Sequence, residues 1–269
     1  MTERTDEIRL SDRLTAVAEM LRIGKRPADI GCDHAYVPIR LCETGKIRSA
    51  IAADVRKGPL EIAADHIARH GLADRIETRL SDGFRNIRKG EADSALIAGM
   101  GGMLICRILT EGRDILPTLR ELVLEPQSDV DRVRSLLTEG RDLSCRFRID
   151  DEKMICEGGK YYPVIHAVPV TETSGATGAE SGCGGEPAGN FPLSPEQLLY
   201  GPVMLEKRDP VLRSYLEKRQ KTLREIESSL VYASGYGTER TGKRLAEIRG
   251  EIACCERALG YYEGQETLP

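Results

Sequence analysis

The chain has 269 residues, 40% of them hydrophobic, enough for one large domain or two modest ones with a core that needs no disulfide or metal staple. Thirty-nine basic against 43 acidic residues give a formal net charge of -4, which excludes a globally cationic nucleic-acid binder but not a local basic face. Nine Tyr, three Phe and no Trp argue against an aromatic platform for stacking single-stranded bases.

The longest nearly unbroken apolar run, Ala95–Cys106, is well short of the ~18–20 residues that span a bilayer. Met1–Arg9 is charged throughout and has no apolar signal-peptide core. The eight cysteines (32, 42, 106, 145, 156, 183, 254 and 255) form no Cys-x-x-Cys pair. That pattern predicts reduced thiols in a cytoplasmic protein.

Leu10, Leu14, Val17 and Leu21 recur at helical spacing, with Ser11 or Asp12 as the N-cap. Short β-type runs then alternate with helical runs. Strands are predicted near Pro27–Ile30, Ser49–Ala53, Arg75–Leu80, Ser94–Ala98 and Glu121–Leu124. Helices are predicted at Val37–Glu43, Pro59–His70, Met103–Glu111 and Asp129–Glu139. Gly45, Gly71, Gly112 and Gly140 stand just past these helices, where a left-handed residue is wanted. The alternation predicts a parallel, doubly wound sheet. It ends in two β-type runs without a helix between them, Leu143–Asp150 and Tyr161–Val168, expected as an antiparallel pair that completes seven strands.

Thr171–Asn190 is rich in Gly, Ser, Thr and Glu and reads as a flexible linker or insertion. Beyond it, Leu216, Leu223, Ile226 and Leu230, then Leu245, Ile248, Ile252, Cys255, Leu259 and Tyr262, carry three–four spacing around a Ser234–Gly237 turn. An antiparallel, coiled-coil-like pair of helices fits best. The expected organisation is a doubly wound α/β domain over 1–170, a linker over 171–193 and a helical arm over 194–269.

In doubly wound sheets ligands bind at the carboxyl ends of the strands. The first strand runs into Asp29-Ile30-Gly31-Cys32-Asp33-His34-Ala35-Tyr36. Only one glycine stands where the dinucleotide fingerprint has three, and Asp33 would repel a pyrophosphate, which disfavours NAD, FAD and ATP. Asp33 capping the next helix is an equally good reading of the turn alone. The second strand ends at Asp54-Val55, with Asp54 23 positions after Gly31, where an acidic side chain accepts both ribose hydroxyls. The third ends before Asp82-Gly83, placed to accept from an adenine amine. Each of these acids alone reads as a solvated loop residue. Together, with no phosphate loop, they describe a cationic nucleoside: S-adenosylmethionine. The fourth strand runs into Ala98-Gly99-Met100-Gly101-Gly102, where glycines permit close approach to a ligand or a sharp turn. After the fifth, Glu125 and Gln127 either line the cleft or cap the next helix.

His66 and His70 at i, i+4 lack a third ligand and read as surface histidines, so no metal is expected. Basic clusters occur at Arg4/Arg9/Arg13, Arg22/Lys25/Arg26, Arg85/Arg88/Lys89 and Lys218/Arg219/Lys221/Arg224. Such clusters are usually solvated faces, though a few phosphate contacts from them would give salt-dependent RNA affinity. Residues 191–269 carry twelve basic and twelve acidic side chains, so the arm is not cationic overall.

Leu10-Ser11-x-Arg13-Leu14-x-x-Val17-Ala18, the Asp29–Pro38 turn, Gly58-Pro59, Asp82-Gly83, Ile97–Gly102, Leu124-x-Pro126 and Gly201-Pro202 resemble the bacterial tRNA adenine-22 N1-methyltransferases over almost the whole chain. The resemblance implies a Rossmann-like seven-stranded methyltransferase domain, S-adenosylmethionine as methyl donor, and a two-helix arm that helps hold tRNA. With it, Asp29, Gly31, Cys32, Asp33, His34, Asp54, Val55, Asp82, Gly83, Ala98, Gly99, Met100 and Gly101 are the expected cofactor residues. Asp33, His34 and Tyr36 are the expected catalytic group. No membrane and no obligate protein partner are expected. A methyltransferase for a small molecule or protein, or a non-catalytic binding module, are the alternatives.

Overall fold

The structure is a computed structural model that describes residues 8–170, 192–234 and 239–263. Most of the linker predicted over 171–193, the centre of the hairpin turn, Arg4 and Cys183 lie outside the described residues. The chain opens with α1 (Asp12–Met20), capped by the Ser11 hydroxyl, which accepts from the Leu14 N–H at 3.4 Å. Alternating elements follow: β1 (Pro27–Ile30), α2 (Tyr36–Glu43), β2 (Ala50–Asp54), α3 (Lys57–Arg69) and β3 (Ile76–Leu80), then β4 (Ser94–Met100), α4 (Gly102–Glu111), β5 (Leu122–Pro126) and α5 (Val130–Glu139). The terminal hairpin is β6 (Phe147–Glu157) and β7 (Lys160–Pro169).

The seven strands form one sheet in the order β3-β2-β1-β4-β5-β7-β6, with β1 to β5 parallel and β7 antiparallel to both neighbours. The order reverses between β1 and β4, so the carboxyl ends of those strands open a crevice. β1, β2 and β5 are buried along their whole length, as strands covered on both faces must be. One core layer packs Ile30, Ile51 and Ile97 against Ile105, Leu109, Val133 and Leu137 of α4 and α5. The opposite layer packs Ala52, Leu96 and Val123 against Val17, Leu41 and Ile67 of α1, α2 and α3.

Three expectations need correction. The sixth strand runs from Phe147 to Glu157 rather than Leu143–Asp150. Its charged run Asp150–Lys153 conceals buried positions. Past a bulge after Ile149, Asp151 and Glu152 are both buried on alternate faces of the strand, where Lys207 (2.6 Å) and Arg22 hold Asp151 and Arg134 holds Glu152. Gly112 has φ -85 rather than a left-handed value; a Cβ there would stand 2.3 Å from the Phe84 ring, so packing demands the glycine. Gly45, Gly71 and Gly140 do take positive φ. Asp33 does not cap α2: the N-cap is Ala35, itself left-handed, with no side-chain cap.

After the sheet come two short helices, α6 (Pro195–Tyr200) and α7 (Pro202–Glu206), that the three–four spacing does not reveal. A capping box of Ser194 and Gln197 starts α6. Long helices α8 (Pro210–Ser234) and α9 (Glu239–Gly260) then fold back antiparallel. Leu212 and Leu216 pack with Cys254, Cys255 and Ala258 near the sheet, and Leu223 with Ile248 and Ile252 farther out. Arg219–Glu251, Arg224–Glu256 and Arg249–Glu227 tie the two helices at 2.5, 3.1 and 2.8 Å.

Candidate active site

The crevice at the strand ends is a cleft of 470 Å³. Its walls include Asp29, Gly31, Cys32, Asp33 and Tyr36 from the first turn, Asp54 and Val55 from the second, and Asp82 and Gly83 from the third. Ala98, Gly99 and Met100 line it from β4, Gln127 from beyond β5, and Arg13, Leu14 and Val17 from α1. Every residue expected to hold the cofactor therefore lies on this wall except His34 and Gly101. Gly101 instead is the N-cap of α4. The His34 ring packs edge-on to Tyr36 and His66, at 5.8 and 6.0 Å, with Nδ1 buried and unpartnered among the described residues.

The first turn is bent to serve the cleft. Gly31, Asp33 and Ala35 all take positive φ (77, 50 and 59), and a non-glycine residue adopts that region only when its surroundings impose it. The Ala53 carbonyl accepts from the N–H groups of Gly31 (2.8 Å) and Cys32 (3.0 Å), fixing the turn to the end of β2. A Cβ on Gly31 would stand 2.1 Å from the Met100 methyl, so the β1 and β4 ends approach through this glycine.

The electrostatics of this half are acidic. Asp54 is buried; its carboxylate accepts from the Arg56 N–H at 2.9 Å and the Asp33 N–H at 3.4 Å. Asp29 is buried too, and burial, then the nearby Asp54 charge, pushes its carboxyl up to about 7. Burial, then Asp29, Asp54 and Asp33, drives the Cys32 thiol far above its ordinary range, so Cys32 is no nucleophile. Asp82 is bound by Arg107 at 3.0 Å, with Arg85 at 3.7 Å. An amine reaching Asp82 shares that carboxylate with Arg107.

These residues fit S-adenosylmethionine. Four carboxylates, with Arg56 near Asp54 at 3.7 Å and Arg107 on Asp82, leave this half of the cleft acidic, and carboxylates favour a ligand carrying a sulfonium and an ammonium over a phosphate. Among the described residues no group of three or more His, Cys, Asp or Glu is arranged to hold a metal ion. No helix among them is long and apolar enough to cross a membrane.

Several site residues escape a reading of the sequence. His66, expected on the outer surface, lies half-buried against the first turn: its Nδ1 is 3.3 Å from the His34 carbonyl and its ring stacks on Tyr36 at 5.2 Å. Its partner at i+4, His70, bonds Glu43 at 2.7 Å instead. Arg13, the member of a basic cluster nearest the cleft, bonds the buried Glu125 at 2.6 Å. Glu125 caps nothing; the N-cap of α5 is Asp129, with no side-chain cap. The arm's basic cluster is largely neutralised, with Arg219 and Arg224 on glutamates and Lys218 over the Tyr161 ring at 5.7 Å.

Comparison with known proteins agrees with this geometry. Residues 10–165 match the family model for a methyltransferase domain. The chain is 32% identical, over 95% of its own length and 99% of the relative's, to the tRNA (adenine(22)-N(1))-methyltransferase of Bacillus subtilis. It is similar to the crystal structure of the B. subtilis m1A22 tRNA methyltransferase TrmK, with TM-score 0.77 and 30% identity over 94% of this chain and 100% of that one. The Streptococcus pneumoniae protein Sp1610 in complex with S-adenosyl-L-methionine gives TM-score 0.74 and 28% identity over 93% and 100%. With its acidic strand ends, its seven-stranded sheet and a full-length match to these relatives, the chain belongs to the bacterial tRNA (adenine-22) N1-methyltransferase family.

Proposed function

We propose that the protein transfers the methyl group of S-adenosylmethionine to N1 of adenine 22 in the D-arm of tRNA, acting in the cytoplasm. The observation that carries this reading is the cleft itself: Asp29, Asp33, Asp54 and Asp82 converge at successive strand ends, without a phosphate cradle, in a chain whose relatives carry that activity.

When bound, S-adenosylmethionine supplies an electrophilic methyl group on a positively charged sulfur. We assign Asp54 to the ribose hydroxyls, Asp82 to the adenine amine, and Asp29 with the Gly31–Asp33 turn to the cationic amino-acid end. Adenine N1 has a lone pair and no proton to lose before attack, so no strong base is required. Alignment of N1 with the methyl group supplies much of the acceleration. The product base is a cation. The exposed Asp33 carboxylate is our candidate for stabilising that charge as it forms, with Tyr36 orienting the base and His34, behind it, supporting Tyr36. The stacked adenine must be flipped out at ~a few kcal/mol, and we assign the arm to gripping the tRNA by shape.

The test is incubation with unmodified tRNA and S-adenosylmethionine, then nucleoside mass spectrometry and mapping of the position. N1-methyladenosine at position 22 is the expected product. Cofactor binding without tRNA methylation would redirect the substrate search to small molecules or proteins.

A further inference from the structure

The acidic side chains occupy the half of the cleft at β1, β2 and β3. The other half, between α1 and the exits of β4 and β5, has a different chemistry, supplied by Arg13, Leu14, Val17, Gly99 and Gln127. Its frame is rigid. Glu125 is fully buried and accepts from the Gly99 N–H at 2.7 Å and from Arg13 at 2.6 Å, while its Oε1 has no partner among the described residues. The Arg13 guanidinium also lies 5.4 Å from the centre of the Tyr162 ring. One carboxylate thus ties α1, the β4 exit and the β5 exit into a single wall.

Gln127 stands on that wall. Its backbone N–H donates to the Met100 carbonyl at 2.8 Å, locking its position to the β4 exit. Its side chain is exposed, and among the described residues the amide makes no hydrogen bond. Nε2 overhangs Gly99, 4.0 Å from where a Cβ on that glycine would be. A fixed backbone carrying a free amide into a cleft is a recognition element without a protein partner.

We infer that Gln127 selects the acceptor base, pairing its amide with the N6 amine and N7 of adenine. The inference rests on the methylation proposed above. A side-chain amide presents an acceptor and a donor side by side, which match the N6 amine and N7 acceptor of adenine. That pairing uses the edge remote from N1 and leaves N1 free to meet the methyl group. Pairing on the N1 edge would block the reaction. Guanine offers two acceptors, O6 and N7, on the same edge. Its O6 would face the amide carbonyl with no proton between them, so the same side chain rejects guanine.

The experiment compares tRNA carrying adenosine or 7-deazaadenosine at the target position, with wild-type protein and Gln127→Ala. The analogue keeps N1 and the N6 amine and lacks N7. Wild-type kcat/KM is expected to fall about ten- to a hundredfold on the analogue, the discrimination given by one bidentate contact. Gln127→Ala is expected to show a loss of that size on adenosine and no further loss on 7-deazaadenosine, with S-adenosylmethionine affinity unchanged by calorimetry. A variant with wild-type kcat/KM, or one that loses the same factor on the analogue, would overturn the assignment. A wild type inactive on natural tRNA would overturn the methylation reading and this one with it; failure confined to the analogue comparison removes only Gln127.

Discussion

Arg134 of α5 and Glu152 of β6 meet at 2.8 Å with neither side chain more than 1% exposed, and between them they hold the start of the arm. Arg134 donates to the carbonyls of Leu198 and Leu199 at 2.7 and 3.0 Å, closing the last turn of α6. Glu152 accepts from the Val203 N–H at 3.0 Å, in the first turn of α7. Gly201 links the two helices at φ 96, and a Cβ there would stand 2.5 Å from Glu152 Oε2. The chain needs a glycine at this crossing for both conformation and space.

Removing one partner strands the other. Arg134→Met is expected to cost about 3–5 kcal/mol, the penalty for leaving a buried charge uncompensated, measured by urea unfolding. The double variant Arg134→Met/Glu152→Met should be more stable than the single one. A single variant within 1 kcal/mol of wild type, on the order of a surface pair, would mean that the site is wet.

Asp54→Ala is expected to weaken S-adenosylmethionine binding by about ten- to a hundredfold, the loss of hydrogen bonds to a charged acceptor, read by calorimetry. The Arg56 and Asp33 N–H groups would lose their acceptor as well. Unchanged affinity would refute the ribose assignment.

Asp29 makes the cleft sensitive to pH. Burial, then Asp54, raises its carboxyl to about 7 in the folded chain. The folded state therefore holds a proton that the unfolded chain releases near pH 4. Stability should fall as pH rises from about 4 to 7 and level off above, by at most about 1.4 kcal/mol per pH unit. A cationic ligand favours the ionised form, so cofactor affinity should rise by up to about tenfold per pH unit below 7 and then flatten. Asp29→Asn should remove both dependences; identical profiles for variant and wild type would take Asp29 out of the account.

Glu121 acts in the opposite sense at the far end of the sheet. Burial alone would raise its carboxyl. The bond from His166 at 2.8 Å and the N–H groups of Gly24, Arg22 and Ile23 outweigh burial and hold it below its ordinary range. Its stabilisation is present above about pH 4.5 and is lost as pH falls through the lowered folded value. Glu121→Gln should reduce the acid sensitivity of unfolding and cost about 1–3 kcal/mol at neutral pH, followed by circular dichroism across pH.

What the sequence reveals here is what repeats or punctuates. The alternation of apolar runs locates β1 to β5 within a residue or two at each end, and the acidic strand ends disclose the cleft because strand ends are where such folds bind ligands. Contacts between distant positions leave no such trace. Arg13 and Glu125 are 112 positions apart, and His66 meets the His34 carbonyl from 32 positions away, on a helix packed against β2 and β3. The β6 boundary is hidden because its charged residues are buried, reversing the usual meaning of Asp, Glu and Lys in a strand. Ala35 is left-handed because the turn imposes it, and an alanine carries no signal of that.

Because the Arg134–Glu152 pair anchors α6 and α7 to the sheet, α8 leaves the domain as a fixed beam. Its 25 residues measure about 37 Å at 1.5 Å per residue. Any partner that touched both the cleft and the far end of that beam would have to bridge the distance between them.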